Sequence, residues 1–323
     1  MTVKLADYRI DDTTEMRAAY CETLMDLAAE DSRIVELDAD LRGAAGMNAF
    51  AEKFPDRAFN VGVQEANMMG VAAGLSATGY IPFANTFAPF ATRRACDQIF
   101  MSCAYAKQNV KVVGLDPGVT AALNGGTHMP FEDIAIMRAF PEVTVVEPAD
   151  SMATRDVIKL AKENDGVWYI RLGRKTFPAV YQESPKIEYG KVITVREGTD
   201  VTLIASGIMV AEALKAADEL EKENISARVL DSLFIKPLDE EAISKAIDET
   251  GALVTCENHN VINGLGSAVA DFLATEKYAP LEKVGVQDEF GEVGPVDYLK
   301  ERFDLTADVI VQKAKKAIAR KNS

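Results

Sequence analysis

Phe59-Asn60-Val61-Gly62-Val63-Gln64-Glu65-Ala66-Asn67-Met68-Met69-Gly70 decides the reading of the fold. A β-prone run ends at Gly62, a carboxylate follows at Glu65, and a helical run rich in Ala, Met and Gly continues to Thr78. The pattern reads as a strand that delivers a Glu into the first turn of a helix, at the mouth of a parallel sheet. Open α/β sheets place chemistry at that edge. An acidic residue in a first helical turn serves equally to complement the helix dipole. This stretch alone leaves both roles open.

Working outward, residues 13–29 read as an amphipathic helix capped by the Asp11, Asp12 and Thr13 cluster. Strands are predicted at 33–40, 58–63 and 81–87, then a helix over 89–105 and a buried strand at 110–116. The loop 117–130 has neither a helical nor a strand period. Helices at 131–139 and 151–162 alternate with strands at 143–147 and 167–171. Such βα alternation predicts a mostly parallel sheet with helices on both faces. Residues 175–188, rich in Pro, Lys and Glu, read as a linker. Beyond them come strands at 191–195, 201–205, 226–230, 252–257 and 281–286. Helices at 210–223, 240–249 and 264–275 and a C-terminal helical region accompany them. The expected architecture is α/β, with two doubly wound domains: a larger one over 1–187 and a smaller one over 188–323.

A chain of 323 residues is long enough for two such domains. Its 48% hydrophobic and 26% charged content are those of a globular protein. A formal charge of −15 excludes nucleic acid or an anionic membrane as the main partner, because either needs a basic face. No apolar run approaches the ~20 residues of a membrane span. The N-terminal segment lacks a signal-peptide core. Cys21, Cys96, Cys103 and Cys256 lack metal-ligand spacing and read as free thiols, so a reducing cytoplasm is expected.

Several other segments can carry chemistry. Phe87 and Phe90, at a strand-to-helix junction, either form an apolar shelf for a flat heterocycle or belong to the core. Arg93 and Arg94, one turn on, either meet an anion or form a solvated face. Asn124-Gly125-Gly126-Thr127-His128-Met129-Pro130 holds one of the two histidines. Its paired glycines allow close backbone approach to a ligand, and its His can be an acid, a base or a donor. Alternatively, that His bonds its own backbone. His259 precedes Gly264-Leu265-Gly266, which opens a helix, and a structural turn is the expected role there. There is no Walker-type loop and no Gly-x-Gly-x-x-Gly after the first strand. No Gly-Asp-Gly with a downstream Asn is present that would hold a metal and a diphosphate.

Taken in order, these segments resemble the C-terminal half of a transketolase. The resemblance is to the pyrimidine-binding domain followed by the transketolase C-terminal domain of thiamine diphosphate enzymes, and it covers nearly the whole chain. It is carried by Asp38-Ala39-Asp40-Leu41, Gly62-Val63-Gln64-Glu65, Thr86-Phe87-Ala88-Pro89-Phe90 and Gly125-Gly126-Thr127-His128-Met129-Pro130. Val146-Glu147-Pro148-Ala149-Asp150, Gly173-Arg174 and Ile235-Lys236-Pro237-Leu238-Asp239 complete it. Without the diphosphate half, the chain resembles split transketolases made of two subunits.

The resemblance implies that Glu65 hydrogen-bonds the N1′ nitrogen of the cofactor's aminopyrimidine and is catalytic. It implies Phe87 and Phe90 as the pyrimidine pocket, with Phe90 the stacking face and Asp40 a nearby carboxylate. It gives His128 the reacting carbonyl and hydroxyl of a ketose, and Arg17 and Arg174 the sugar phosphate. Thiamine diphosphate is the implied cofactor, with Mg²⁺ or Ca²⁺ held by an N-terminal partner subunit in a heterotetramer of two copies of each chain. This chain itself is expected to hold no metal. The implied reaction transfers a two-carbon ketol unit from a ketose phosphate to an aldose phosphate.

Three positions depart from the pattern: Asn124 stands where an Asp contacts the donor, Asp116 where a His helps bind phosphate, and Ala44 where a Ser lies near it. Asp116 is expected to repel a dianion, which points to altered sugar specificity. The alternatives are the beta chain of a 2-oxoacid dehydrogenase, half of a deoxyxylulose-phosphate synthase, or a non-catalytic protein that keeps the fold. The small domain, with Glu257 and His259, is expected to be structural.

Overall fold

The computed structural model describes residues 3–322, which fold around two sheets. The first takes β1 (Ile34–Asp38), β2 (Ala58–Asn60), β3 (Ile81–Phe87), β4 (Lys111–Leu115), β5 (Thr144–Val146) and β6 (Trp168–Leu172). The chain continues through β7 (Ile193–Arg196), β8 (Val201–Ala205), β9 (Ala227–Asp231), β10 (Phe234–Lys236), β11 (Leu253–Asn260) and β12 (Leu281–Val286). The sheets run β10-β5-β6-β4-β3-β1-β2 and β12-β11-β8-β9-β7. β10 on β5 and β7 on β9 are antiparallel, and the remaining pairs are parallel.

Helices cover both faces of the first sheet, so β3 and β4 are buried at every position rather than alternately. That demands apolar residues throughout, and one exception is instructive. Lys111 is buried in β4 with its ammonium donating to the carbonyls of Asn164 at 2.7 Å and Gly166 at 3.1 Å. Burial pushes its pKa down to about 7. Gly114 of β4 is required by close packing: a Cβ there would lie 2.6 Å from the Tyr169 hydroxyl.

The order β2-β1-β3-β4 reverses the chain's lateral direction between β1 and β3. Sheets of this kind open a crevice at such a switch point, beyond the carboxyl ends of the strands. The segments after β1, β2, β3 and β4 carry Asp40, Glu65, Phe90 and Asp116, respectively, to that edge.

Five expectations about local structure need correction or completion. Asp11, Asp12 and Thr13 do not cap the first helix, which starts at Met16 after an uncapped Glu15. Asp12 instead accepts from the Thr14 amide and from the Ser151 hydroxyl. The helix over 89–105 is mostly π-wound, at Phe90–Arg94 and Ile99–Tyr105, with a short α segment at Cys96–Gln98 between. The loop 117–130 contains two 3₁₀ turns, Gly118–Asn124 and Gly126–His128. Strand β10 is too short to show a period in sequence. It leaves the second unit to extend the first sheet along β5, and so ties the two together. The segment 175–188 is not slack: Phe177, Val180 and Tyr181 are buried, and the N-terminal arm pairs with it through Leu5 and Asp11.

A closed ionic cluster joins the two units. Arg171 of β6 is fully buried, and its Nε lies 2.7 Å from Asp133 Oδ2. The same guanidinium bonds Glu147 and donates to the Asn258 carbonyl at 2.7 Å. Glu147 also accepts from the Ser206 hydroxyl at 2.8 Å. Glu257 accepts the main-chain amides of Leu265 and Gly266. His259 has both nitrogens engaged, one with the Asn260 carbonyl and the other receiving the Ala135 amide. Burial pushes its pKa down to about 4, so the ring is neutral. Cys21, Cys103 and Cys256 are buried free thiols, and Cys96 is half-buried.

Candidate functional site

The helix Glu65–Ala77 begins with Glu65, whose preceding residue Gln64 makes no capping bond. The carboxylate is 1% exposed, yet its sole side-chain partner among the described residues is Arg94. Both oxygens lie 2.9 Å from a single Arg94 nitrogen. The guanidinium also sits 4.2 Å from the centre of the Phe90 ring. Phe90 and Arg94 stand four residues apart in this turn, a spacing that puts the stacked pair on one side of the helix. A flat N–H donor thus lies between an aromatic face and a buried carboxylate, with the arginine side chain 48% exposed.

Phe87, Phe90 and His128 form an aromatic frame. The His128 ring meets Phe87 at 5.6 Å and Phe90 at 5.1 Å, both edge-on. The His128 Nδ1 lies 2.9 Å from the Thr127 hydroxyl. Half-buried in this frame, His128 keeps its other nitrogen without a hydrogen bond among the described residues.

The His128 loop is braced from the second unit. The Asn258 carboxamide accepts from the Val119 amide at 2.9 Å and donates to the Pro117 carbonyl at 3.0 Å. A Cβ on Gly126 would lie 2.1 Å from the Gly291 carbonyl, so that glycine is required by close backbone approach. The smaller unit therefore shapes the site through the Asn258 carboxamide and the Gly291 main chain.

At the far side of Phe87 stands Arg174, its guanidinium 4.8 Å from the ring centre. Its main-chain amide donates to Asp116 at 3.0 Å, and its Nε donates to the other oxygen of the same carboxylate. Asp116 is thus the partner of Arg174 rather than an isolated repulsive charge. Burial raises its pKa, while the positive charge of Arg174 and the bonds from it oppose the rise. Arg17 reaches the same corner: its Nη1 donates to the Ala44 carbonyl at 2.9 Å and its Nε to Glu15 at 2.7 Å.

Glu65, Phe87, Phe90, His128, Arg174, Asp116 and Arg17 are therefore linked by direct contacts or shared partners into one rim. Two predicted residues stand apart from that chain of contacts. Asp40 is exposed in a left-handed conformation (φ 62°), and its main-chain amide donates to the Asn60 side-chain oxygen at 3.1 Å. Asn124 is exposed, and its side chain makes no hydrogen bond among the described residues.

Sequence reasoning did not assign a function to Arg94, Asn258 or the buried network under β1. In that network Tyr20 donates to Asn85, which donates to Glu36 at 3.0 Å, while Arg42 lies 2.8 Å from Asp38. Burial pushes Glu36 up to about 7, against the opposing Asn85 bond. The signal was present: Glu36 stands between Val35 and Leu37, and Asn85 directly follows Phe83 and Ala84.

A sheet with this switch point, a buried Glu beneath an aromatic shelf and a second α/β unit define a thiamine-type pyrimidine-binding architecture. Comparison with known proteins gives the family. The model for "Transketolase, pyrimidine binding domain" matches residues 12–179, and that for "Transketolase, C-terminal domain" matches residues 190–310. The chain belongs to the transketolase family and is the C-terminal-section subunit of a two-subunit transketolase. It is 51% identical to a 6-deoxy-6-sulfo-D-fructose transketolase subunit SqwH from Clostridium sp., over 99% of this chain and 98% of that one. It is 38% identical to one of the subunits of an apulose-4-phosphate transketolase from Phocaeicola vulgatus, over 84% of this chain and 88% of that one. A solved structure described as "Split gene transketolase, inactive beta4 tetramer" superposes with a TM-score of 0.89 at 46% identity. It covers 95% of this chain and 99% of its own. The family implies thiamine diphosphate as the cofactor.

Proposed function

We propose that this subunit, joined to an N-terminal partner, transfers a two-carbon ketol unit from an anionic ketose to an aldose, with altered sugar specificity. The observation that carries this reading is the Glu65 carboxylate, buried at the strand-to-helix junction yet engaged, among the side chains of the described residues, by a displaceable arginine alone. The Arg94 guanidinium, a flat N–H-bearing group, lies between Phe90 and Glu65, and an aminopyrimidine has the same shape and polarity. The residues fit the group.

Bound there, thiamine diphosphate supplies a carbon nucleophile and electron sink for cleaving the bond beside a ketose carbonyl. Glu65 would hold the pyrimidine N1′ and exchange a proton with it, which requires Arg94 to withdraw from both the carboxylate and the ring face. Phe90 would present the stacking face and Phe87 the side wall. His128 would donate to the ketose oxygens from its frame of rings. Arg174 and Arg17 would bind the terminal anion, with Asp116 and Glu15 setting their charge balance. Asp40 and Asn124 belong to the proposed periphery, toward cofactor and donor respectively.

Ligands for the diphosphate and for Mg²⁺ or Ca²⁺ are assigned to the partner, since this chain has no Gly-Asp-Gly segment with a downstream Asn. The assembly proposed is a heterotetramer with the site shared between its two kinds of chain, and this chain alone is expected to be inactive. A relative described as an inactive beta4 tetramer supports that reading. We place the boundary between the two domains at 187/188. Reconstitution with the N-terminal partner and a panel of ketose donors tests the proposal. Ketol transfer that needs both chains and thiamine diphosphate is expected; activity of this chain alone, or none from the pair, would overturn it.

A further inference from the structure

The anion corner next to Phe87 has a charge balance of its own. Three cations meet there: Arg17, Arg174 and Lys175. Two carboxylates answer them. Glu15 bonds both Arg17 at 2.7 Å and Lys175 at 3.2 Å, and the bond from Arg17 holds its pKa below the ordinary value. Asp116 takes the main-chain amide and the Nε of Arg174 on its two oxygens. One positive charge is left over.

The donors left over also matter. Among the described residues, both terminal amino groups of Arg174 and one of Arg17 make no hydrogen bond, while their side chains are 17% and 21% exposed. The corner thus offers several N–H donors but a single net charge. A phosphate monoester near neutral pH carries about 1.5 to 2 negative charges. Its second charge would face the buried Asp116 carboxylate with no further cation at this corner among the described residues. A sulfonate has three acceptor oxygens and one fixed charge, and it satisfies the donors without that surplus.

We infer that the Asp116–Arg174 pair, with Glu15 on Arg17, makes this enzyme select a ketose ending in a monoanionic sulfonate over the same ketose ending in phosphate. The inference rests on the transketolase reading and sharpens it to a substrate class. Asp116 acts through Arg174 and is a specificity residue, not a catalytic one. A surplus charge a few ångströms from a buried carboxylate costs on the order of 10- to 100-fold in affinity.

The test uses the assembled two-subunit enzyme with thiamine diphosphate and two probes of one carbon skeleton, 6-deoxy-6-sulfo-D-fructose and D-fructose 6-phosphate. Affinity is read by calorimetry and turnover by kcat/KM, at a pH where the phosphate is a dianion. The wild type is expected to favour the sulfonate by about tenfold or more. Asp116→Asn is expected to shrink that ratio about tenfold, chiefly through a lower KM for the phosphate. Glu15→Gln, at a more exposed position, should shift the ratio in the same direction and serves if Asp116→Asn does not fold. Equal binding of the two ketoses by the wild type, or ratios unmoved in both variants, would overturn the inference. Turnover of neither ketose would count against the transketolase reading, while the calorimetric ratio would still decide the charge argument.

Discussion

Two clusters in this molecule use the same residue types to opposite ends. At the rim, Arg94 holds Glu65, and His128 stands among aromatic rings. At the seam between the two units, Arg171 holds Asp133 and Glu147, and His259 stands beside them. The seam is closed: Arg171 is fully buried and His259 has both nitrogens engaged. The rim keeps capacity in reserve, with an arginine 48% exposed over a flat ring and, among the described residues, a histidine nitrogen with no hydrogen bond. A satisfied buried network specifies structure, whereas an incompletely satisfied one at a sheet's carboxyl edge is ready for a guest.

Four substitutions break or sharpen that contrast. The largest effect is expected at the rim's centre. Glu65→Gln should cut turnover of the assembled enzyme by about 10³-fold while leaving the thermal midpoint unchanged, because the carboxamide fills the same space but cannot exchange the proton. At the seam the pattern should invert. Arg171→Met strands Asp133 and Glu147 in the interior and should cost about 3 kcal/mol or more in urea unfolding.

Third is a pH effect at the seam. Asp231 accepts from the Tyr181 hydroxyl, and burial pushes its pKa from the ordinary 3.8 to about 8, helped by Asp150 and Glu147 nearby. The folded chain therefore keeps a proton that the unfolded chain releases. That stabilisation is complete below the ordinary value and is lost as pH rises through about 8. Unfolding free energy should fall by roughly 2 kcal/mol more between pH 6 and 9 in the wild type than in Asp231→Asn, measured by denaturant titration. The smallest effect returns to the rim. Arg94→Ala frees the seat between Phe90 and Glu65, so the assembled enzyme should bind thiamine diphosphate about tenfold more tightly, if the seat is open about a tenth of the time in the wild type. Calorimetry reads this directly, and weaker binding would show Arg94 to be a ligand-holding residue instead.

Much of the fold was legible because its causes are local. Ile81–Phe87 and Val201–Ala205 read as strands from their local sequence, and both bounds matched the structure. The candidate site was legible as motifs in order, because Glu65, Phe87, Phe90 and His128 each close or follow a strand of the same sheet edge. What escaped depended on distant partners. β10 has three residues, and its pairing partner β5 lies far earlier in the chain. The linker's packing depends on the N-terminal arm. The partner of Asp116 escaped as well, because Arg174, which bonds its carboxylate, is 58 positions away. Arg94 was ambiguous between a solvated face and an anion site, and the Glu65 carboxylate that it bonds, 29 positions earlier, decides its place.

The most direct test is a structure of the two-subunit assembly with thiamine diphosphate bound. The account expects Arg94 turned away and a Glu65 oxygen within hydrogen-bonding distance of the pyrimidine N1′, with the ring against Phe90. A pyrimidine seated elsewhere, with Glu65 still clasped by Arg94, would contradict it.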